Sequence, residues 1–491
     1  NAAAQRRGGI AQIDLTRFVA HEPVGPGSAG VVVEERTLPA PLLDGGRVPL
    51  QVLERRFRSD RVESPRHYPD NDRVEIARCV AWVEQVPGYG IIALPVGNAS
   101  AHDDSRPSPL PVSPVRATAQ SLDNGIVRVT VDGGDGIALH STPHGRTWTR
   151  LLRFEDVGDA GDLYTHSPIG QPSCEARLGK SHLTHGGPLR GQLRVRFALD
   201  VPVSSTRQGR SRELVRHDVD VTLTVDAGSP FVGVGVRGVN RARDHRLRIL
   251  FATDVPDAPT LADATFGPVL RRQPAQPNGT ETMELVPPTA PLARWVSRSG
   301  ATHGMTLISD GLGEYEAMPD GSIAVTLVRS VGALSRNDLP ERPGHAGWPT
   351  PTPGAQVLGP YRAEFALLPH GPGADDFLPL IERAAANVLL PLAGTTLRSA
   401  THALESTAGL SLHGDGLRFL ACKASEDGEW TVLRCVNVTS RPATGEWQCG
   451  WPVQEARRAR LDEEPGEALA VRNGIIEVVL GPSEVSTVLV R

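Results

Sequence analysis

Frequent breaks constrain this chain more than any other feature: 42 prolines and 51 glycines interrupt 491 residues. Long helices do not survive such punctuation, whereas short strands joined by turns do. The apolar pattern agrees. Segments such as Gly191–Leu199 (GQLRVRFAL), Asp218–Val225 (DVDVTLTV) and Phe231–Arg237 (FVGVGVR) alternate with period two, which sends every second side chain to one face of a strand. The length exceeds what one core serves and suggests about three domains. A hydrophobic fraction of 39% is enough to fill packed cores. The longest apolar runs, such as Ala384–Leu392, are far short of a membrane-spanning helix, so the expectation is a soluble all-β protein with no membrane partner.

Charge excludes another class of partner. Fifty-one Lys+Arg against 56 Asp+Glu leave a net charge of -5 with no like-charge block, so nucleic acid is not an expected partner. Nearly every basic residue is arginine, Lys180 and Lys423 being the lysines, which fits genomic base composition better than phosphate recognition. Cys79, Cys174, Cys422, Cys435 and Cys449 are odd in number and scattered without a C-x-x-C. Neither a disulfide framework nor a zinc ribbon follows, and a reducing, cytoplasmic location is expected. The start, NAAAQRRGG, has no signal-peptide core and no initiator methionine, as a fragment of a longer protein would.

The strand-like segments Val31–Arg36, Val48–Leu53, Val74–Val83 and Gly90–Leu94 predict a small β-sandwich over residues 1–98. A Pro/Ser/Asp-rich linker follows over 99–116. Residues 117–392 read as one large two-sheet sandwich, and 393–491 as a further β domain. One helix is predicted over Asp375–Leu389, with acidic residues at its start and an early proline, packing against a sheet edge.

The densest polar cluster is Glu155–His166 (EDVGDAGDLYTH), which places four carboxylates, a phenol and an imidazole in one glycine-broken loop. Such a loop can meet a sugar, or its aspartates can close Asx turns that hold the loop together. Its spacing does not match a calcium loop. His182/His185 and His140/His144 lie among Gly, Pro and Ser and read as loop histidines. His102-Asp-Asp104 and His413-Gly-Asp415 match an H-x-D zinc pair, a three-letter pattern expected about once by chance in such a chain. In Asn240–Phe251 (NRARDHRLRILF) charged and apolar residues alternate as on a strand, and Asp244 is expected to pair with a neighbouring arginine. Leu334–Trp348 (LSRNDLPERPGHAGW) is a long loop loaded with guanidinium, carboxylate, imidazole and indole groups. Nucleophile-elbow, Walker and H-E-x-x-H motifs are lacking.

Six of these stretches, in one order, resemble the C-terminal half of class II α-mannosidases, glycoside hydrolase family 38: Val86–Gly90 (VPGYG), Leu122–Val129 (LDNGIVRV), Asp159–Tyr164 (DAGDLY), Asp244–Arg248 (DHRLR), the Leu334–Gly347 loop, and Leu420–Gly428 (LACKASEDG) with Arg434 and Asn437. The resemblance implies a large supersandwich like that of galactose mutarotase, flanked by two smaller β-sandwich domains. It also implies a preceding α/β catalytic domain and helical bundle that supply zinc, its H-x-D ligand pair, an aspartate nucleophile and the acid/base carboxylate of a retaining hydrolase. None of those residues is carried over, so this chain is expected to hold no catalytic residue and no metal, with zinc in the preceding catalytic domain. Asp159, Asp162, Tyr164 and Arg342 are the positions that the resemblance places towards the substrate.

The leading expectation is therefore a non-catalytic C-terminal part of a zinc-dependent α-mannosidase, which supports and partly lines a site for α-mannosides. A stand-alone mutarotase-like sugar epimerase is the alternative, as is a carbohydrate-binding protein, against which the 4% aromatic content argues.

Overall fold

A computed structural model describes residues 1–22, 37–63, 69–98, 111, 113–133, 136–173, 176–272, 284–397 and 405–491. The expected strand Val31–Arg36, most of the 99–116 linker, the His102–Asp104 pattern and Cys174 lie outside the described residues. Almost everything described is β structure, with one α-helix, Leu378–Leu389, preceded by a 3-10 turn over Ala374–Phe377. Among the described residues no helix is long and apolar enough to cross a membrane.

The large middle region is built on three sheets. Nine strands form the first, in the spatial order Ala176–Gly186, Arg190–Pro202, Leu214–Asp226, Val232–Asn240, Gly359–His370, Gly304–Asp310, Trp295–Ser299, Thr260–Ala262, Val269–Arg271. Six form the second: Pro168–Ser173, Leu152–Asp159, His245–Ala252, Ser322–Ser330, Glu314–Ala317, Thr289–Pro291. Five short strands between Arg116 and Trp148 form the third. One core joins all three, so the expected two-sheet sandwich carries an additional sheet. Its construction follows from alternation. Val219, Val221, Leu223 and Val225 point inward from one strand of the large sheet, and Leu247, Ile249 and Phe251 from one strand of the six-stranded sheet. Each such side chain contributes about 1.5–3 kcal/mol on burial. In Val232–Asn240, Gly233 and Gly235 alternate with the inward Val232, Val234 and Val236, and Gly238, on the same side as those valines, leaves room for a neighbouring ring. A Cβ at Gly238 would sit 2.4 Å from Tyr361 Oη.

Residues near the N-terminus form a separate four-stranded sheet, Leu50–Val62, Asp70–Val86, Arg7–Glu22 and Leu392–Thr395, the last running parallel to Arg7–Glu22. Gly90–Leu94 does not form the expected strand; Ile91 makes an isolated bridge to Thr407. Beyond Leu410, a three-stranded and a five-stranded sheet enclose a core around Leu412, Leu433, Trp447 and Val488.

The helix lies elsewhere than expected. Leu378, Ile381, Ala384 and Ala385 pack on Trp295, Ile308, Ala366 and Leu368, from strands in the interior of the nine-stranded sheet, and on Val436 and Val438 of the C-terminal unit. A sheet edge would have satisfied only part of this apolar stripe; wedged between two units, the stripe is covered on both sides. Arg7 of the N-terminal sheet donates to Ala386 O (2.8 Å), which also accepts Leu390 N (3.0 Å), and bonds Leu390 O just beyond the helix end, placing a cation at the negative end of the helix.

A buried ionic cluster fastens the same junction. Arg294 grips Asp263 with two hydrogen bonds (2.8 and 3.1 Å) and donates to both oxygens of Glu382 on the helix (2.9 Å). From the C-terminal unit, Arg418 reaches Asp263 and donates to Ala264 O and Thr265 O (2.9 and 3.1 Å). Removing one member of a buried cluster strands its opposite charge. Arg418→Ala is expected to destabilise residues 1–491 by about 3 kcal/mol. Denaturant unfolding checks this, and unchanged stability would show that the cluster does not hold the junction.

Candidate functional site

Asp159 ends the strand Leu152–Asp159, and the loop from Ala160 to Ser167 leads to the next strand, Pro168–Ser173. Both aspartates of the loop close Asx turns. Asp159 Oδ1 accepts from Gly161 N (2.9 Å) and Ser167 N (3.1 Å), and Asp162 Oδ1 accepts from Tyr164 N (2.9 Å) and Thr165 N (2.8 Å). The turn between them is so tight that a Cβ at Gly161 would lie 2.1 Å from Thr165 O, so glycine is required there.

The second oxygens face arginines from distant segments. Asp159 Oδ2 receives Arg329 Nε (2.8 Å), and His166 Nδ1 lies 2.9 Å away. Asp162 Oδ2 receives Arg342 Nη2 (2.6 Å) and Arg336 N (2.7 Å). Arg342 then donates to Thr165 Oγ1 (2.7 Å) and Arg336 O (2.9 Å), while Arg329 donates to Asp162 O (2.6 Å) and Thr165 O (2.9 Å). The Arg342 guanidinium also stands over the Tyr164 ring, 5.8 Å from its centroid. Three of the four predicted residues, Asp162, Tyr164 and Arg342, thus meet in one cluster, and Asp159 joins it through Arg329.

Their exposure separates their roles. Asp159, Asp162 and Arg342 are buried, whereas Tyr164 is 57% exposed and its neighbour Leu163 46%. With four donors on Asp162 its lone pairs are full, so it has no capacity left for a ligand. In this geometry the aspartates and arginines shape the loop, and the phenol is what the loop presents to solvent. Arg329 and Arg336 were not singled out in the sequence. Arg329 sits near the end of the apolar strand Ser322–Ser330 (SIAVTLVRS), where a charge in an otherwise core-forming run was the available signal.

Charged pairs occupy both faces of the six-stranded sheet nearby. On the outward face Arg248 pairs with Glu155 (Nε–Oε1 2.8 Å) and with Glu316; on the core face His245 Nδ1 lies 2.6 Å from Asp156 Oδ1, and Asp156 Oδ2 meets Arg210. Asp244 does not pair with an arginine as expected; Gln356 Nε2 donates to its Oδ1 (2.7 Å), and its own N–H donates to Gln356 Oε1 (3.0 Å). The strand begins at His245, so Asp244 precedes it and turns away from the arginine row at positive φ, 52°. His140, His182 and His185 lie on strands rather than in loops. Among the described residues no group of three or more His, Cys, Asp or Glu side chains converges to hold a metal ion, so no step through a metal is derived for this chain.

Burial by itself would raise the Asp162 pKa, but the Arg342 hydrogen bond and three backbone N–H groups outweigh it and hold the carboxyl below its ordinary value. Asp159 behaves alike: burial opposes ionisation, and His166, Arg329 and the Gly161 N–H more than offset it. His166 is itself pushed down by burial, only partly countered by Asp159. A carboxyl whose pKa is lower folded than unfolded stabilises the fold fully above the ordinary value of about 3.9, and this stabilisation is lost as pH falls through the folded value. Asp162→Asn keeps the Asx acceptor without the charge. It is expected to cost about 3 kcal/mol at pH 7, with the gap to the parent narrowing below about pH 4. Denaturant unfolding at pH 7 and pH 3 checks this; a gap as wide at pH 3 as at pH 7 would contradict it.

Comparison with known proteins places this geometry in a family. Residues 122–336, which include the aspartate loop and Arg329, match the glycosyl hydrolases family 38 C-terminal domain, and residues 416–488 match the family 38 C-terminal beta sandwich domain. Over 397 residues the chain is 28% identical to a protein from Halalkalibacterium halodurans named "Putative mannosylglycerate hydrolase", covering 75% of this chain and 41% of that protein. Its fold is similar to an alpha-mannosidase from Enterococcus faecalis V583 (TM-score 0.79, 19% identity) and to a glycosyl hydrolase family 38 protein from Enterococcus faecalis (TM-score 0.78, 18% identity), each covering the whole of this chain. It spans 55% and 57% of those two chains, about half the length of the proteins it matches. Two family domains in the expected order, on a fold shared along its full length, show that the chain belongs to glycoside hydrolase family 38 and is its C-terminal β region.

Proposed function

We propose that this chain is the non-catalytic C-terminal part of a retaining, zinc-dependent α-mannosidase whose zinc, nucleophile and acid/base carboxylate belong to a preceding catalytic domain. The Asp159–Ser167 loop, with Tyr164 over Arg342, forms part of the wall that faces the α-mannoside. One observation carries this reading: a buried ion pair holds an exposed phenol rigidly on a loop inside the matched family domain. A phenol so placed donates to a sugar hydroxyl without first being ordered, and pre-ordering is what makes such a contact effective. The relative's name adds mannosylglycerate to the candidate substrates. The chain divides, in this reading, into a small β-sandwich over 1–98, a linker over 99–116, a supersandwich over 117–392 and a C-terminal β domain from 393, with Leu392–Thr395 returning to the N-terminal sheet. The free thiols Cys79, Cys422, Cys435 and Cys449 support a cytoplasmic setting.

A mutarotase-like activity needs an acid and a base that reach the sugar. His245 and Asp156, the buried His–Asp pair in the sandwich, are 0% and 2% exposed and do not meet solvent. Polarimetry on fresh α-galactose is expected to show an unchanged anomerisation rate with the chain present.

Residues 1–491 alone are expected to bind no stoichiometric zinc and to leave an aryl α-mannoside intact, whereas the full-length protein hydrolyses it and stops when treated with a chelator. Chelator-sensitive turnover by residues 1–491 alone would reject the reading. In the full-length protein, Tyr164→Phe is expected to lower kcat/KM about tenfold, the loss of one hydrogen bond to a substrate hydroxyl. Unchanged kinetics would remove Tyr164 from the substrate wall.

A further inference from the structure

Trp148, Trp295 and Trp447 are fully buried in this chain, yet Trp348 is 83% exposed. An indole left in water forgoes the burial that the other three gain. It is not at a loose tip. The Oγ of buried Ser335 accepts from Ala346 N (3.2 Å) and Gly347 N (3.1 Å), Leu334 N donates to Thr350 O (2.8 Å), and Ala333 bridges to Pro351. Pro349 follows the tryptophan and disfavours helical backbone at Trp348. The backbone beside the indole therefore has a fixed path.

That path runs along the candidate substrate wall. A Cβ at Gly347 would lie 3.3 Å from Tyr164 Oη, so the backbone preceding Trp348 passes beside the phenol. On the other side of the loop, exposed Asn337 and His345 face each other (Nδ2–Nε2 3.3 Å). An exposed indole thus follows directly on a glycine that lies beside a phenol, on a loop that also carries the exposed Asn337 and His345. A pyranose presents the complement: a C–H face that packs on an aromatic ring, edged by hydroxyls.

We propose that Trp348 is a stacking platform for a sugar ring on the leaving-group side of the substrate, outside Tyr164, and that it sets a preference for substrates carrying such a ring. The proposal rests on Tyr164 facing the substrate. The leaving-group side is assigned because the indole, 83% exposed, stands farther into solvent than the 57% exposed phenol, one residue beyond the glycine that lies beside it.

The test uses the full-length protein and two substrates: an α-linked mannobiose, which carries a second ring, and α-mannosyl fluoride, which carries none. For Trp348→Ala, kcat/KM on the mannobiose is expected to fall about tenfold, mainly through KM, as befits one lost aromatic contact. On the fluoride it is expected to stay within about twofold, and Trp348→Phe is expected to recover most of the mannobiose activity. An equal fall on both substrates would make the indole a structural or domain-docking residue and overturn the proposal; so would no change on either, or hydrolysis of the fluoride with none of any α-linked mannobiose. If the unaltered protein hydrolyses neither, the α-mannosidase reading fails and this inference with it.

Discussion

The ion pair between Asp162 and Arg342 is the constraint on which the candidate wall depends. It joins residues 180 positions apart and is almost wholly removed from water. Taking two charges out of water costs several kcal/mol per ion, and their attraction repays this only when every remaining donor and acceptor is satisfied. That condition is largely met, by turn N–H groups on the aspartate and by Thr165 and Arg336 O on the two terminal nitrogens of the arginine, while the buried Arg342 Nε has no hydrogen-bond partner among the described residues. The two loops are consequently locked to each other, and Tyr164 is left at their surface with little freedom. A hydrophobic pair would have held the loops too. It would not have bound four directed groups to one point, and so would not have aimed the ring.

A rim of this kind is useful only if the body beneath it does not shift. The same device recurs there on a larger scale. Asp263, Arg294, Glu382 and Arg418 fasten the nine-stranded sheet, the helix and the C-terminal unit to one another, while Arg7 ties the N-terminal sheet to the helix end. Apolar contact around Leu378 and Ile381 supplies the bulk of the adhesion at this junction, and the charges fix its register. The helix is in this sense a wedge between β units.

Much of the fold was legible in the residues. Val219, Val221, Leu223 and Val225 announce their strand by alternation, and the acidic start and early proline locate the helix. The loop's aspartates were legible in kind, since Asp-x-Gly and Asp-x-Tyr suit Asx turns, but not in number of partners. What could not be read is what depends on long-range pairing. Nothing local to Asp162 points to Arg342, and Asp244 looked like an arginine partner until the strand was seen to begin at His245 and Gln356 to occupy its carboxylate. The helix's apolar stripe showed that it must be covered, without saying that two units cover it. Family resemblance supplied the missing link between the 159–164 and 334–347 segments, and the geometry gave that link a physical form.

The central claim is that this cluster faces the substrate in the full-length protein. A crystal structure of that protein with a mannose-configured inhibitor tests it most directly. The account predicts Tyr164 Oη within hydrogen-bond reach of the ligand, about 2.6–3.2 Å. A bound ligand with the Asp159–Ser167 loop on a remote surface would contradict it.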